Sequence, residues 1–189
     1  LKEKYSGIRL FSIPNGVDIS KFKPKRSTMK QFNNEIMNIL SVARLEKQKN
    51  LKSLIKAIAI LKSKYRIHLK IVGWGKLKLQ LIKLAKELKV SLKIINRVPY
   101  DKIVKYYHQT DIFCLPSFLE GQPKSLLEAM ACGLPCLVGK YAGSEEFKDK
   151  KEVLISGFKA EEISKKLIQL IKDKDLRKRL SKNARKKIE

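Results

Sequence analysis

"IMNILSVARLEKQKNLKSLIKAIAILKSKYRIHLKIVG", Ile36 to Gly73, is the stretch that decides the fold. "IMNILSVAR" (Ile36 to Arg44) is a short apolar run that reads as a buried strand. Apolar residues then recur at Leu51, Leu54, Ile55, Ile58 and Leu61, the stripe of an amphipathic helix. "IHLKIVG" returns to strand character. The alternation continues with the helix "KLKLQLIKLAKELK", the strand "VSLKII" and a short helix near "YDKIVKYYHQ". After it come the strand "DIFCLP", the helix "SLLEAMAC", the strand "LPCLVG" and a further short strand "EVLISG". From Glu161 the pattern is that of two basic amphipathic helices. Strand–helix alternation of this length predicts an α/β fold, a doubly wound parallel sheet with helices on both faces. Right-handed crossovers put every strand's C-terminal end on one edge, and ligands of such folds bind in the crevice there.

Working outward, residues 34–189 read as one domain. Residues 1–33, with "SIPNGVDISKFKPKRS", read as a linker with a strand end and turn formers. The chain begins at Leu1 rather than Met, which leaves room for a preceding N-terminal part and deprives a missing signal peptide of meaning. Forty-three per cent hydrophobic residues is ordinary for a globular domain of 189 residues. The net charge of +25 is not ordinary and is compatible with nucleic acid, anionic lipid or phosphorylated ligands. The lysines are scattered over outer helix faces, however, without a basic block interleaved with aromatics, so a solvated surface is expected and no nucleic-acid partner. Cys114, Cys132 and Cys136 lie in apolar surroundings, their odd count and spacing suggest neither a disulfide framework nor a zinc site, and they read as buried thiols of a reducing compartment. No apolar run approaches the ~20 residues that cross a bilayer.

Three loops after strands carry candidate chemistry. "GWG" invites a dinucleotide-binding reading, but Lys78 occupies the third glycine position of G-x-G-x-x-G. Gly73 and Gly75 therefore read as a tight turn that also lets backbone approach a ligand. "ARLEKQKN" sets Arg44 and Lys49 beside the start of a helix, a suitable place for a diphosphate. "EGQPKSLLE" offers two carboxylates, Glu120 and Glu128, around a helix start. Gly121 removes a side chain there, Pro123 fixes the approach, and the N–H groups of Lys124, Ser125 and Leu126 face the crevice. Ionised carboxylates only accept, so they can hold paired sugar hydroxyls at both ends of a nucleotide-sugar. Ser125-x-x-Glu128 also fits a capping box, and Glu120 a solvated loop residue.

"FLEGQPKSLLEAMACGLPCLV" resembles the E-x7-E signature of retaining GT-B glycosyltransferases, glycosyltransferase family 4, also called glycosyl transferases group 1. "IPNGVDISKFKP", "SVARLEKQKNLKSLIKAI", "IVGWG", "VPYDKIVKYYHQTDIFCLPS" and "AGSEEF" agree in order, so the resemblance covers roughly residues 12 to 185. It implies a Rossmann-like domain, the C-terminal, donor-binding half of a GT-B fold. It implies Arg44 and Lys49 on the donor diphosphate and Glu128 on the ribose hydroxyls. Glu120 falls on the transferred sugar, and with the two cations makes the catalytic set. Gly121, Gln122, Pro123, Lys124, Ser125 and Leu126 match the loop whose amides meet sugar and phosphate. Arg97 and Val98 fall at the nucleobase, and Gly73 and Gly75 at the glycine turn lining the cleft.

The resemblance also implies transfer of a sugar from a UDP- or GDP-linked donor to a glycan or lipid-linked acceptor, as in polysaccharide biosynthesis. The diphosphate would be met by cations rather than a metal; no Asp-x-Asp pair falls in the candidate loops to hold one, and no cofactor is expected. The acceptor side of the cleft belongs to the other half of the fold, so this half alone is expected to be inactive, and the chain stops before the usual final helix returns. Ala43, Asn96 and Lys76 depart from the family's usual glycines and proline, and "AGSEE" from its paired glycines, which bears on base and sugar selectivity. A cytoplasmic location is expected, and the basic tail Lys165 to Lys187 suits peripheral contact with the inner face of the membrane. The alternative function is a basic module that binds nucleic acid or an anionic surface.

Overall fold

Alternate residues of each strand face opposite sides of a sheet, so strands apolar on both faces need cover on both. Ile39 and Leu40 illustrate this: both are buried, one in each of two hydrophobic cores. The computed structural model describes residues 14–25 and 36–189. Among them β1 (Ile36–Val42), β2 (Arg66–Val72), β3 (Ser91–Ile95), β4 (Ile112–Leu115), β5 (Cys136–Gly139) and β6 (Leu154–Ser156) form one sheet of order β3-β2-β1-β4-β5-β6. Every pairing is parallel. The six strands and the doubly wound parallel sheet are those expected from the alternation, and the Rossmann-like class is the one the resemblance implied. The strand end read before residue 14 lies outside the described residues.

α1 (Leu51–Leu61), α2 (Lys78–Glu87) and α5 (Ala160–Lys172) pack over one face, against Ile39, Leu69, Ile71, Cys114, Leu137 and Leu154. α1 buries Leu51, Leu54, Ile55, Ile58 and Leu61, as its stripe requires, and adds Ala57. α3 (Val104–Tyr107) and α4 (Lys124–Ala131) cover the other face, against Leu40, Val72, Phe113, Leu115 and Val138. α6 (Lys174–Ile188) spans both layers, with Leu176 and Leu180 in the first core and Ala184 in the second. Buried Arg177 on α6 donates to the carbonyls of Leu170 and Ile171 and so satisfies the end of α5. The three cysteines are free and buried, and burial pushes the Cys132 thiol up to about 12. Among the described residues no helix is long and apolar enough to cross a membrane.

Part of the segment read as a linker is packed on the domain. Phe22 is fully buried beside Tyr107, edge to face at 5.9 Å. Arg185 of α6 donates to the carbonyls of Phe22 (2.8 Å) and Ala131 (2.7 Å), tying this segment to the end of α4. His108 closes the same seam on the Lys23 carbonyl at 2.9 Å.

Candidate functional site

Strand order reverses between β1 and β4, so the loops leaving their C-terminal ends diverge and open a crevice. After β1 the chain passes Arg44, makes a 3₁₀ turn (Lys47–Lys49) and enters α1 through Asn50. After β4 it runs through Ser117 to Glu120, turns at Gly121 and Gln122, and enters α4 behind Pro123. The Phe118 N–H donates to the Gln48 carbonyl at 2.8 Å and stitches the two loops across the switch point.

That stitch brings two expected site residues into contact. The Lys49 ammonium lies 2.9 and 2.8 Å from the two oxygens of Glu120. The Ser117 hydroxyl donates to the same carboxylate at 2.6 Å. Both side chains are largely buried, 12% exposed for Lys49 and 7% for Glu120, so the solvated-loop reading of Glu120 does not hold. Arg44 shares this edge but turns outward, its side chain 57% exposed and its guanidinium 3.2 Å from Glu46.

Glu128 sits on the opposite side of the α4 entrance, and the capping-box reading fails there. Pro123 holds the cap position and α4 starts at Lys124, so Ser125 is already its second residue and caps nothing. Glu128 therefore lies more than a turn inside the helix, only 6% exposed, and accepts a 2.7 Å hydrogen bond from the Tyr107 hydroxyl. Burial pushes its carboxyl above the ordinary range, against the opposing pull of Tyr107 and of Lys124 and Lys21. Those two ammonium groups stand over the Tyr100 ring, at 4.8 and 3.8 Å from its centroid. Tyr107 and Ser117 were invisible to sequence reasoning: a tyrosine in a short helix and a serine after a strand carry no local signal of a carboxylate partner.

The turn between the glutamates is held open. A Cβ on Gly121 would meet no protein atom within 4 Å, so the fold itself leaves that space clear. Gln122 is clasped by Asn15, whose backbone N–H and side-chain amide donate to the Gln122 side-chain and backbone oxygens, the latter at 2.7 Å. Of the three amides expected to face the crevice, that of Leu126 is already bonded to the Pro123 carbonyl at 3.0 Å. Lys124 and Ser125 lie in the first turn, where backbone N–H groups lack intrahelical partners.

The glycine turn and the residues expected at the nucleobase, Arg97 and Val98, close the far end of the edge. Gly73 and Gly75 adopt φ of 155° and 153°, and a Cβ on Gly73 would lie 1.9 Å from the Ala43 carbonyl oxygen. Their first role is thus to let the β2 loop run against the β1 loop, where Leu45 donates to the Trp74 carbonyl at 2.8 Å. Between them Trp74 is half exposed and carries the Arg97 guanidinium 4.3 Å from its ring centroid. Val98 packs against the second core. Arg97 and Val98 therefore share the edge without touching the Lys49–Glu120 pair. Among the described residues no cluster of His, Cys, Asp or Glu could hold a metal.

Residues 24–187 match the family model of glycosyl transferases group 1. The chain belongs to that family. Relatives include the amylovoran biosynthesis glycosyltransferase AmsK of Erwinia amylovora, 33% identical over 78% of this chain and 37% of the relative. The GDP-mannose-dependent monoacylated alpha-(1-6)-phosphatidylinositol monomannoside mannosyltransferase of Corynebacterium glutamicum is 29% identical over 85% of this chain and 46% of its own length. This group 1 chain thus spans less than half the length of these curated relatives. The fold is shared with the C-terminal domain of a group 1 family protein, LpcC, from Francisella tularensis, at TM-score 0.78 and 23% identity over 90% of this chain and 95% of that one. Anabaena Alr3699/HepE, solved in complex with UDP and glucose, superposes at TM-score 0.77 with 20% identity, covering 92% of this chain and 50% of that one.

Proposed function

We propose that this group 1 domain binds the UDP- or GDP-linked donor of a retaining, metal-independent hexosyltransferase of glycosyltransferase family 4. The observation that carries the reading is the pair of buried carboxylates, Glu120 and Glu128, on either side of the α4 entrance at the switch point. Glu128 accepts from the ribose hydroxyls and Glu120 from those of the sugar. Arg44, Lys49 and the first amides of α4 meet the diphosphate between them. In the reaction the acceptor oxygen bonds to the anomeric carbon on the face from which the diphosphate departs with the bonding electron pair, and the acceptor's hydroxyl proton passes to the departing diphosphate oxygen. The cations and amides stabilise that departing charge. The GDP-mannose dependence of the Corynebacterium relative and the UDP bound by HepE support a nucleotide-sugar donor.

The acceptor, a glycan or lipid-linked saccharide of polysaccharide biosynthesis, is supplied by a partner domain outside this chain, so this chain alone transfers no sugar. Exposed Lys174, Lys178, Lys182, Lys186 and Lys187 on α6 support a peripheral contact with anionic lipid at the inner face of the membrane. A thermal-shift panel of UDP, GDP and ADP, each with and without EDTA, tests the donor reading. UDP or GDP should raise the midpoint, and the rise should survive the chelator. No shift with any of the three would overturn the reading.

A further inference from the structure

We infer that Glu120 makes the site discriminate an intact nucleotide-sugar from the nucleoside diphosphate left after transfer, by holding Lys49 whenever no sugar is present. The inference rests on the donor-site reading and adds a function that reading does not contain. Its basis is the contact itself: both carboxylate oxygens of Glu120 lie within 2.9 Å of the Lys49 ammonium, and the Ser117 hydroxyl bonds one of them. Flexible surface chains would not maintain such a pair. Here both partners are nearly covered, and the loops that carry them are joined by the Phe118–Gln48 hydrogen bond.

A bare nucleoside diphosphate meets this pair in one of two ways. If it draws Lys49 away, a largely buried carboxylate keeps only the Ser117 donor and is left under-satisfied. If it binds beside the intact pair, the carboxylate charge opposes the phosphates and Lys49 has most of its donors engaged. Either route weakens binding. A nucleotide-sugar differs because its hydroxyls donate to Glu120 in place of Lys49, which frees the ammonium for the diphosphate without leaving a bare charge behind. The carboxylate that favours the donor therefore disfavours the product. Once the sugar has gone to the acceptor, Glu120 reclaims Lys49 and loosens the diphosphate. Selectivity of this kind is a difference of two affinities set by one unpaired group.

The test compares the 189-residue chain with Glu120→Gln, which keeps the shape and a polar oxygen but lacks the charge, using isothermal calorimetry with UDP, GDP, UDP-glucose, UDP-N-acetylglucosamine and GDP-mannose. Glu120→Gln should bind the cognate nucleoside diphosphate about tenfold more tightly than the parent, while its best-bound nucleotide-sugar gains less or loses affinity. Glu120→Ala, checked by thermal midpoint, serves as the second variant and should also tighten the diphosphate. Equal gains for the diphosphate and the nucleotide-sugar, or no gain for the diphosphate in either variant, overturn the discrimination and leave the donor site standing. Absence of any nucleotide binding by the parent chain removes the donor reading, and this inference with it.

Discussion

Tyr107→Phe separates the two contributions that decide how Glu128 is held. The ring stays: it packs between Phe22 at 5.9 Å and Phe113 at 6.0 Å, and phenylalanine preserves both contacts. What goes is the 2.7 Å hydrogen bond from its hydroxyl to Glu128, together with a longer 3.3 Å contact to the Ser125 carbonyl. A hydrogen bond to a charged group is worth about 1.5–3 kcal/mol, and this one is buried, so the loss of stability should fall in that range near neutral pH. Glu128 already sits above the ordinary carboxylate range because of burial, and the Tyr107 bond is the largest influence pulling it back. Removing that bond raises the carboxyl pKa further. The cost of the mutation is therefore full where Glu128 is ionised and shrinks as pH falls through its folded-state pKa. Urea unfolding of both proteins from about pH 4 to about pH 8 measures this directly. The same variant, titrated with UDP and GDP, should bind about five- to tenfold more weakly, because the carboxylate proposed to accept from the ribose is no longer oriented. A stability loss independent of pH, combined with unchanged nucleotide affinity, would refute the assignment of Tyr107 as the residue that positions Glu128.

Glu128→Gln should gain stability relative to the parent as pH rises. The folded carboxyl is shifted up, so the parent loses stability between its unfolded and folded pKa values while glutamine does not; urea midpoints across that window report the difference. Gly121→Ala should leave the fold within about 1 kcal/mol of the parent, since a Cβ there meets nothing and φ lies outside the left-handed region, yet it should weaken nucleotide-sugar binding measured by calorimetry. Gly73→Ala should cost more than about 3 kcal/mol or prevent folding, read by circular dichroism melts, because the new methyl group runs into the Ala43 carbonyl at a backbone angle that side chains rarely adopt. Arg44→Ala should change stability by less than about 0.5 kcal/mol, because it removes only an exposed pair with Glu46. Its affinity for UDP or GDP should nevertheless fall by about tenfold.

The layout of this domain was legible in the sequence because it is written in short-range periodicity. The apolar runs of β1 and β4, the stripe Leu51–Leu54–Ile55–Ile58–Leu61 and the turn formers between them each report their state over a few residues. Parallel strands joined by helices then leave one edge for the loops after β1, β2, β3 and β4, so the candidate residues could be placed on that edge without coordinates. The pairing of those residues had no such signal. Lys49 and Glu120 are 71 positions apart, Tyr107 and Glu128 are 21 apart, and Asn15 and Gln122 are 107 apart. Each contact depends on which strands are neighbours and on the path of an irregular loop, and neither is encoded in any local window. A cation and a carboxylate read separately as partners of a ligand are, in the folded chain, partners of each other. The capping box failed for a similar reason. Ser125 and Glu128 have the right spacing, but Pro123 takes the cap position and starts α4 at Lys124. Glu128 is thereby turned toward the core, where burial raises its pKa and only tertiary packing could supply the Tyr107 hydroxyl that satisfies it.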